Sequence, residues 1–174
     1  MRNPNHVKCD CLGSLAGPAL SRAEWLGMTS KLEFPFETAR AVTNLIFSGT
    51  LERYLDISII VPHNGGAVPV LAGRITAVGS RLRLGPAGTG DAMTYLRRLY
   101  YDTAIQSKHS LSSLLQLTDA SHIVYGSDSP WYPETAVLET NRDLEGSKFV
   151  SDEDRDAIHR TNALRLLPRI RSLG

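Results

Sequence analysis

The chain has 174 residues, 42% apolar and 21% charged, and is expected to form a single globular domain over 1–174. A net charge of +1 with scattered Lys and Arg makes no basic stripe, which excludes nucleic acid as the expected partner. Cys9 and Cys11 sit too close for a comfortable disulfide, no apolar run reaches the roughly 20 residues that cross a bilayer, and the first residues carry no apolar leader. The expected compartment is therefore the cytoplasm, and a membrane is not an expected partner.

Residues 1–33 are rich in Gly, Pro and Ser and read as a long loop. The spacing then predicts a helix over 37–48, with Ala41, Leu45 and Ser48 on one face, Val42 and Ile46 adjoining it, and Gly49 at the C-cap position. Residues 57–61, ISIIV, form a β-branched run typical of a parallel-sheet strand covered on both faces. A helix over 68–78, a loop over 84–90 and a helix over 91–99 capped by Asp91 follow. Next come a short strand at 99–104, a helix at 111–117 and a strand at 121–128 that ends at Gly126. A long helix over 151–167 closes the series, with Ser151 and Asp154 at the spacing of a capping box. Strands alternating with helices predict an α/β fold built from βαβ units around a parallel sheet.

In such sheets chemistry collects at the C-terminal ends of the strands. His63 directly follows the first strand, and Gly65 and Gly66 behind it would let a ligand approach closely. The imidazole could then serve as base, acid or metal ligand, or it could be a loop histidine bonded to a nearby carbonyl. Asp128, in YGSDSPW past the third strand, could bind a cation, transfer a proton, or merely cap the turn before Pro130. Two ionisable groups at equivalent ends of alternate strands would face one mouth, so the pair says more than either residue. Trp131 could line a pocket or pack beneath the loop, and Arg74 lies one to two turns beyond the glycines on a predicted helix. The Cys9–Cys11 pair lacks a second Cys/His pair at zinc-site spacing, and the glycines at 85–90 lack the Lys-Ser/Thr of a phosphate loop.

Four segments in order carry a resemblance: FPFETARAVTNLIFSGTLERYLDISIIVPHNGGAVPVLAGRI (34–75), LYYDTA (99–104), VYGSDSPW (124–131) and TNALRLLP (161–168). They resemble the C-terminal half of the metal-dependent amidohydrolase-related family. The relevant branch includes aminocarboxymuconate semialdehyde decarboxylase and the aromatic-acid decarboxylases acting on 6-methylsalicylate or resorcylate. The resemblance implies a partial (β/α)8 TIM barrel, about strands six to eight within 34–168, with one divalent metal, zinc or manganese, at its mouth. It implies His63 as the catalytic histidine acting on metal-bound water or substrate, and Asp128 as a metal ligand that also takes part in proton transfer. It further implies a small carboxylic acid as substrate and a homodimer in which Arg74 reaches the neighbouring site.

Two departures accompany it. No strand upstream of residue 34 carries the family's metal-binding His-x-His or Glu-x-His pair. Where the fifth strand would end in a histidine before proline, Asn3 precedes Pro4, so either the ligand is lost or His6 stands in for it. Eight strands close such a barrel, so the expectation is a truncated chain with an open strand edge and an exposed apolar face. The expected activity is non-oxidative decarboxylation, since loss of CO2 from a ring carbon calls for a cation on the carboxylate and a nearby acid or base. Hydrolysis of a lactone or amide on the same fold, and a non-catalytic half-barrel module, are the alternatives.

Overall fold

The computed structural model describes residues 29–82 and 91–169. His6, the Cys9–Cys11 pair and the predicted loop at 84–90 lie outside them. The first described element, a π-helical turn at Thr29–Glu33, replaces the end of the predicted loop and leads into helix α1 (Phe34–Phe47). Pro35 sits in the first turn of α1, where its missing N–H leaves no helical bond unmade. The buried stripe of α1 is Ala39, Val42 and Ile46, the face predicted only to adjoin, whereas Ala41 and Ser48 are exposed. Gly49, at φ 72°, ends the helix where predicted and leads into the short α2 (Thr50–Arg53).

Three parallel strands, β1 (Ile60–Val61), β2 (Tyr100–Asp102) and β3 (Ile123–Val124), form a sheet in the order β1-β2-β3. Ile60 lies opposite Tyr100, and Asp102 opposite Val124. All three strands are shorter than predicted; β3 starts late because the residues before it form a 3-10 turn, Ala120–His122, capped by the Asp119 carboxylate. Helices α3 (Val68–Leu82) and α4 (Ala92–Arg98) join β1 to β2, and α5 (Lys108–Leu117) joins β2 to β3. Asp91 caps α4 as predicted, accepting the Met93 N–H at 3.2 Å. Helix α5 starts earlier than predicted because Ser107 and Ser110 cap it reciprocally.

Beyond β3 lies α6 (Glu134–Glu145), a helix absent from the sequence prediction. It is the most polar of the longer described helices and buries only Thr140 and Leu144, so few apolar residues mark its inner face. The predicted helix over 151–167 is present in three parts: α7 (Asp152–Asp156), a π-helical turn (Ala157–Thr161) and α8 (Asn162–Leu166). Ser151 caps α7 by accepting the Asp154 N–H at 3.1 Å. The Asp154 carboxylate takes the Ser151 hydroxyl at 2.8 Å, whereas the longer Glu of a capping box reaches the backbone N–H.

Adjacent residues across a sheet share a face. On one face Val61, Tyr101 and Ile123 are buried against Val68, Leu96, Leu111 and Leu114 of the helices. On the opposite face Val124 of β3 is buried as well, whereas the β1 side is open. Ile60 is 42% exposed, and half-buried Tyr100 and His122 stack with ring centroids 5.0 Å apart. The two-sided cover expected for 57–61 is therefore not found, and Ile57 is exposed as well. The open stretch of that face is confined to the β1 side, where Ile60 and Ile57 are exposed. Among the described residues no helix is long and apolar enough to cross a membrane.

Candidate functional site

Among the described residues, backbone strain gathers at one rim of the sheet. The described non-glycine residues with positive φ are His63 (56°) and Asn64 (55°) after β1, Ile105 (53°) after β2, and Asp128 (57°) after β3. Each such conformation costs on the order of 1–3 kcal/mol and persists where the surroundings impose it, a pattern that concentrates at functional sites. For β-branched Ile105 the left-handed region is especially unfavourable.

His63 opens a 3-10 turn (His63–Gly65) immediately after Pro62. Its Nε2 lies 3.8 Å from Asp128 Oδ1, and the two side chains are 29% and 27% exposed. That separation exceeds a hydrogen bond but leaves both groups within reach of one small molecule. The Asp128 turn is closed by the Tyr132 N–H on the Asp128 carbonyl at 2.9 Å and by the Ser129 N–H on the Ser127 hydroxyl at 3.2 Å. The main chain and Ser127 thus close the turn that Asp128 could otherwise have capped, and its carboxylate faces His63.

Gly65 and Gly66 have a packing role in the fold. A Cβ at Gly65 would stand 2.9 Å from the Tyr101 ring, and one at Gly66 would stand 2.7 Å from the Pro35 carbonyl oxygen. The glycines admit neighbouring protein. The Ala67 N–H then bonds the Pro35 carbonyl at 3.2 Å, which ties α1 to the His63 turn.

Asp102, at the end of β2 between the other two strand ends, escaped sequence reasoning. Its Oδ1 accepts the His63 N–H at 2.7 Å and the Ala104 N–H at 3.0 Å. Burial pushes its carboxyl above the usual carboxylate range, against the opposing pull of those N–H groups and the nearby His63 charge. The available signal was positional, an acid closing the middle strand in LYYDTA as His63 and Asp128 follow its neighbours.

The other candidates stand apart. Arg74 is exposed on α3, and the ion-pair partner of Asp128 among the described residues is His63. Trp131 is 88% exposed, so it does not pack beneath the loop. A divalent zinc site takes about four donors and a manganese site more. Among the described residues no group of three His, Cys, Asp or Glu could hold such an ion. His63 and Asp128 supply two donors and do not make a metal site by themselves.

Ionisable side chains at the C-terminal ends of parallel strands define an enzyme-type α/β site. Within that class the chain belongs to the amidohydrolase family, which it matches over residues 12–169. It is 32% identical to Decarboxylase yanB of Aspergillus niger over 142 residues, 79% of this chain and 39% of that protein. It is likewise 32% identical to the 6-methylsalicylic acid decarboxylase of Penicillium expansum over 146 residues, 81% of this chain and 44% of that protein. Among solved structures, an amidohydrolase II superposes with a TM-score of 0.72 at 25% identity, covering 80% of this chain and 44% of its own. A dihydroxybenzoic acid decarboxylase from Polaromonas sp. JS666, with bound manganese and the inhibitor 2-nitroresorcinol, shares the fold. Its TM-score is 0.66 at 20% identity, covering 98% of this chain and 48% of that one. The family expected from the sequence motifs is the family found, and by that membership the chain derives from an enzyme. It spans about two fifths of the length of the curated relatives it matches.

Proposed function

We propose that residues 34–168 form part of a metal-dependent, non-oxidative decarboxylase of an aromatic or muconate-type carboxylic acid. One observation carries this reading: His63 and Asp128 converge on one rim in a chain whose relatives at 32% identity are decarboxylases. The three strands correspond to about strands six to eight of a (β/α)8 barrel, and the open face bearing Ile60, Tyr100 and His122 is their share of its interior. Parallel strand order and superposition on chains about twice as long support that assignment.

Decarboxylation breaks the bond between a ring carbon and the carboxyl carbon, releases CO2 and leaves the electron pair on the ring carbon, which must then receive a proton. His63, half-exposed and aimed across the rim, is the group assigned to hold and deliver that proton. Asp128 beside it is assigned to a divalent cation, zinc or manganese, whose remaining ligands lie outside the described residues, with His6 the sequence candidate. Exposed Arg74 suits a carboxylate in the neighbouring subunit of a homodimer, and exposed Trp131 offers an aromatic face to the substrate ring. The expected setting is the cytoplasm.

The test is CO2 release from 6-methylsalicylate and dihydroxybenzoates by the protein that carries this chain, supplied with manganese or zinc. Release abolished by His63→Ala and by Asp128→Ala is the expected result. Products formed without CO2 would overturn the lyase reading in favour of hydrolysis, and turnover indifferent to both substitutions would remove these residues from the site.

A further inference from the structure

The two halves of the rim are not independent of each other. His63 and Asn64 occupy consecutive left-handed conformations, which an unsupported chain would abandon. The support comes from the middle strand. Asp102 Oδ1 takes the His63 N–H at 2.7 Å and the Ala104 N–H at 3.0 Å, and the Asn64 N–H also bears on the same carboxylate.

On its other side Asp102 packs against the turn that presents Asp128. A Cβ at Gly126 would stand 3.0 Å from Asp102 Cβ, 3.1 Å from its Cγ and 3.3 Å from its Oδ2. The absence of that Cβ is what lets β3 close on the Asp102 side chain. Thr103 fixes the same approach, because its hydroxyl accepts the Gly126 N–H at 3.1 Å and donates to the Gly126 carbonyl at 3.3 Å.

We propose that Asp102 is a positioning residue of the rim: its carboxylate pins the left-handed His63–Asn64 turn while its flank seats Gly126, so that one side chain sets the spacing between His63 and Asp128. It acts through other residues and touches no reacting atom. The importance of that spacing for catalysis rests on the decarboxylase reading, whereas the positioning itself is measurable without turnover.

The test is amide hydrogen exchange, followed by NMR on the full chain, in the wild type, Asp102→Asn and Asp102→Ala. Relative to the core amides of Tyr101 and Leu114, the His63 amide should exchange about 10- to 100-fold faster in Asp102→Ala. In Asp102→Asn, whose amide oxygen remains an acceptor, it should stay within about threefold of wild type. A merely structural role would shift all amides together and would not be rescued by Asn. Should Asp102→Ala fail to fold, Gly126→Ala carries the same test, since its methyl displaces Asp102 without removing it and should loosen the His63 amide about tenfold. Unchanged His63 exchange in the variant that folds overturns the proposal.

Activity separates this inference from the reading beneath it. Asp102→Ala should lower kcat with KM little changed, and Asp102→Asn should restore most of kcat. A loosened His63 amide in a protein that never releases CO2 removes the decarboxylase reading and leaves the positioning role standing. Normal exchange with turnover lost does the reverse.

Discussion

Gly66 offers a sharp test of how the His63 turn is built. Replacing it by alanine forces an L side chain to φ +56° and ψ −119°, a region that essentially only glycine occupies. That conformation costs on the order of 1–3 kcal/mol. The new methyl would also stand 2.7 Å from the Pro35 carbonyl oxygen and 2.9 Å from its Cα. Because the obstacle is backbone, relief requires α1 to move, and overpacking of this kind costs about 1–3 kcal/mol more. Together Gly66→Ala should lose about 2–6 kcal/mol, a large part of the roughly 5–15 kcal/mol that holds a typical domain. Gly73 is the internal control, since it lies within α3 and a Cβ there meets nothing within 4 Å. Gly73→Ala should gain up to about 1 kcal/mol from helix propensity alone. Urea unfolding of the two variants beside wild type gives the comparison. Midpoints shifted in the same direction, or Gly66→Ala within about 0.5 kcal/mol of wild type, would refute the packing described for this turn.

Three further outcomes are expected. Asn162 donates to the buried carbonyls of Ala120 and Ile123 at 2.8 Å each, so Asn162→Ala should cost about 1–3 kcal/mol for each acceptor left without a partner, read from the urea midpoint. The Ser121 hydroxyl, and then the Ser121 N–H with His122, hold the Asp119 carboxyl below its ordinary value of 3.8. A depressed folded value makes its contribution full above the unfolded value and lost as pH falls through the folded one, so Ser121→Ala should lessen the acid-side loss in a pH series of thermal unfolding. Ile60→Lys on the open sheet face should be neutral within about 0.5 kcal/mol in this chain by thermal unfolding, and a loss of several kcal/mol would show that the face is covered.

Much of the fold was legible because its signals are local. Gly49 at the end of α1, Asp91 before α4 and Ser151 before α7 act on backbone groups within a few residues, so their types and spacing suffice to place helix ends. Helix α6 went unread because it is mostly polar, and the few apolar residues of its inner face, such as Val137 and Leu144, are easily taken for a loop's. The strands were overextended because β-branched runs report propensity, while a ladder exists only where a partner strand lies alongside.

By itself the sequence determined the alternation of helices and parallel strands, the family, and the placing of His63 and Asp128 just past strand ends. Tertiary structure alone decided that these two lie 3.8 Å apart, that one face of the sheet is open at β1, and that Gly65 and Gly66 yield to Tyr101 and Pro35. It also decided the place of Asp102, which meets His63 across 39 residues of chain. Caps and periodicity act over a turn or two, whereas these contacts join segments that only the packed sheet brings together.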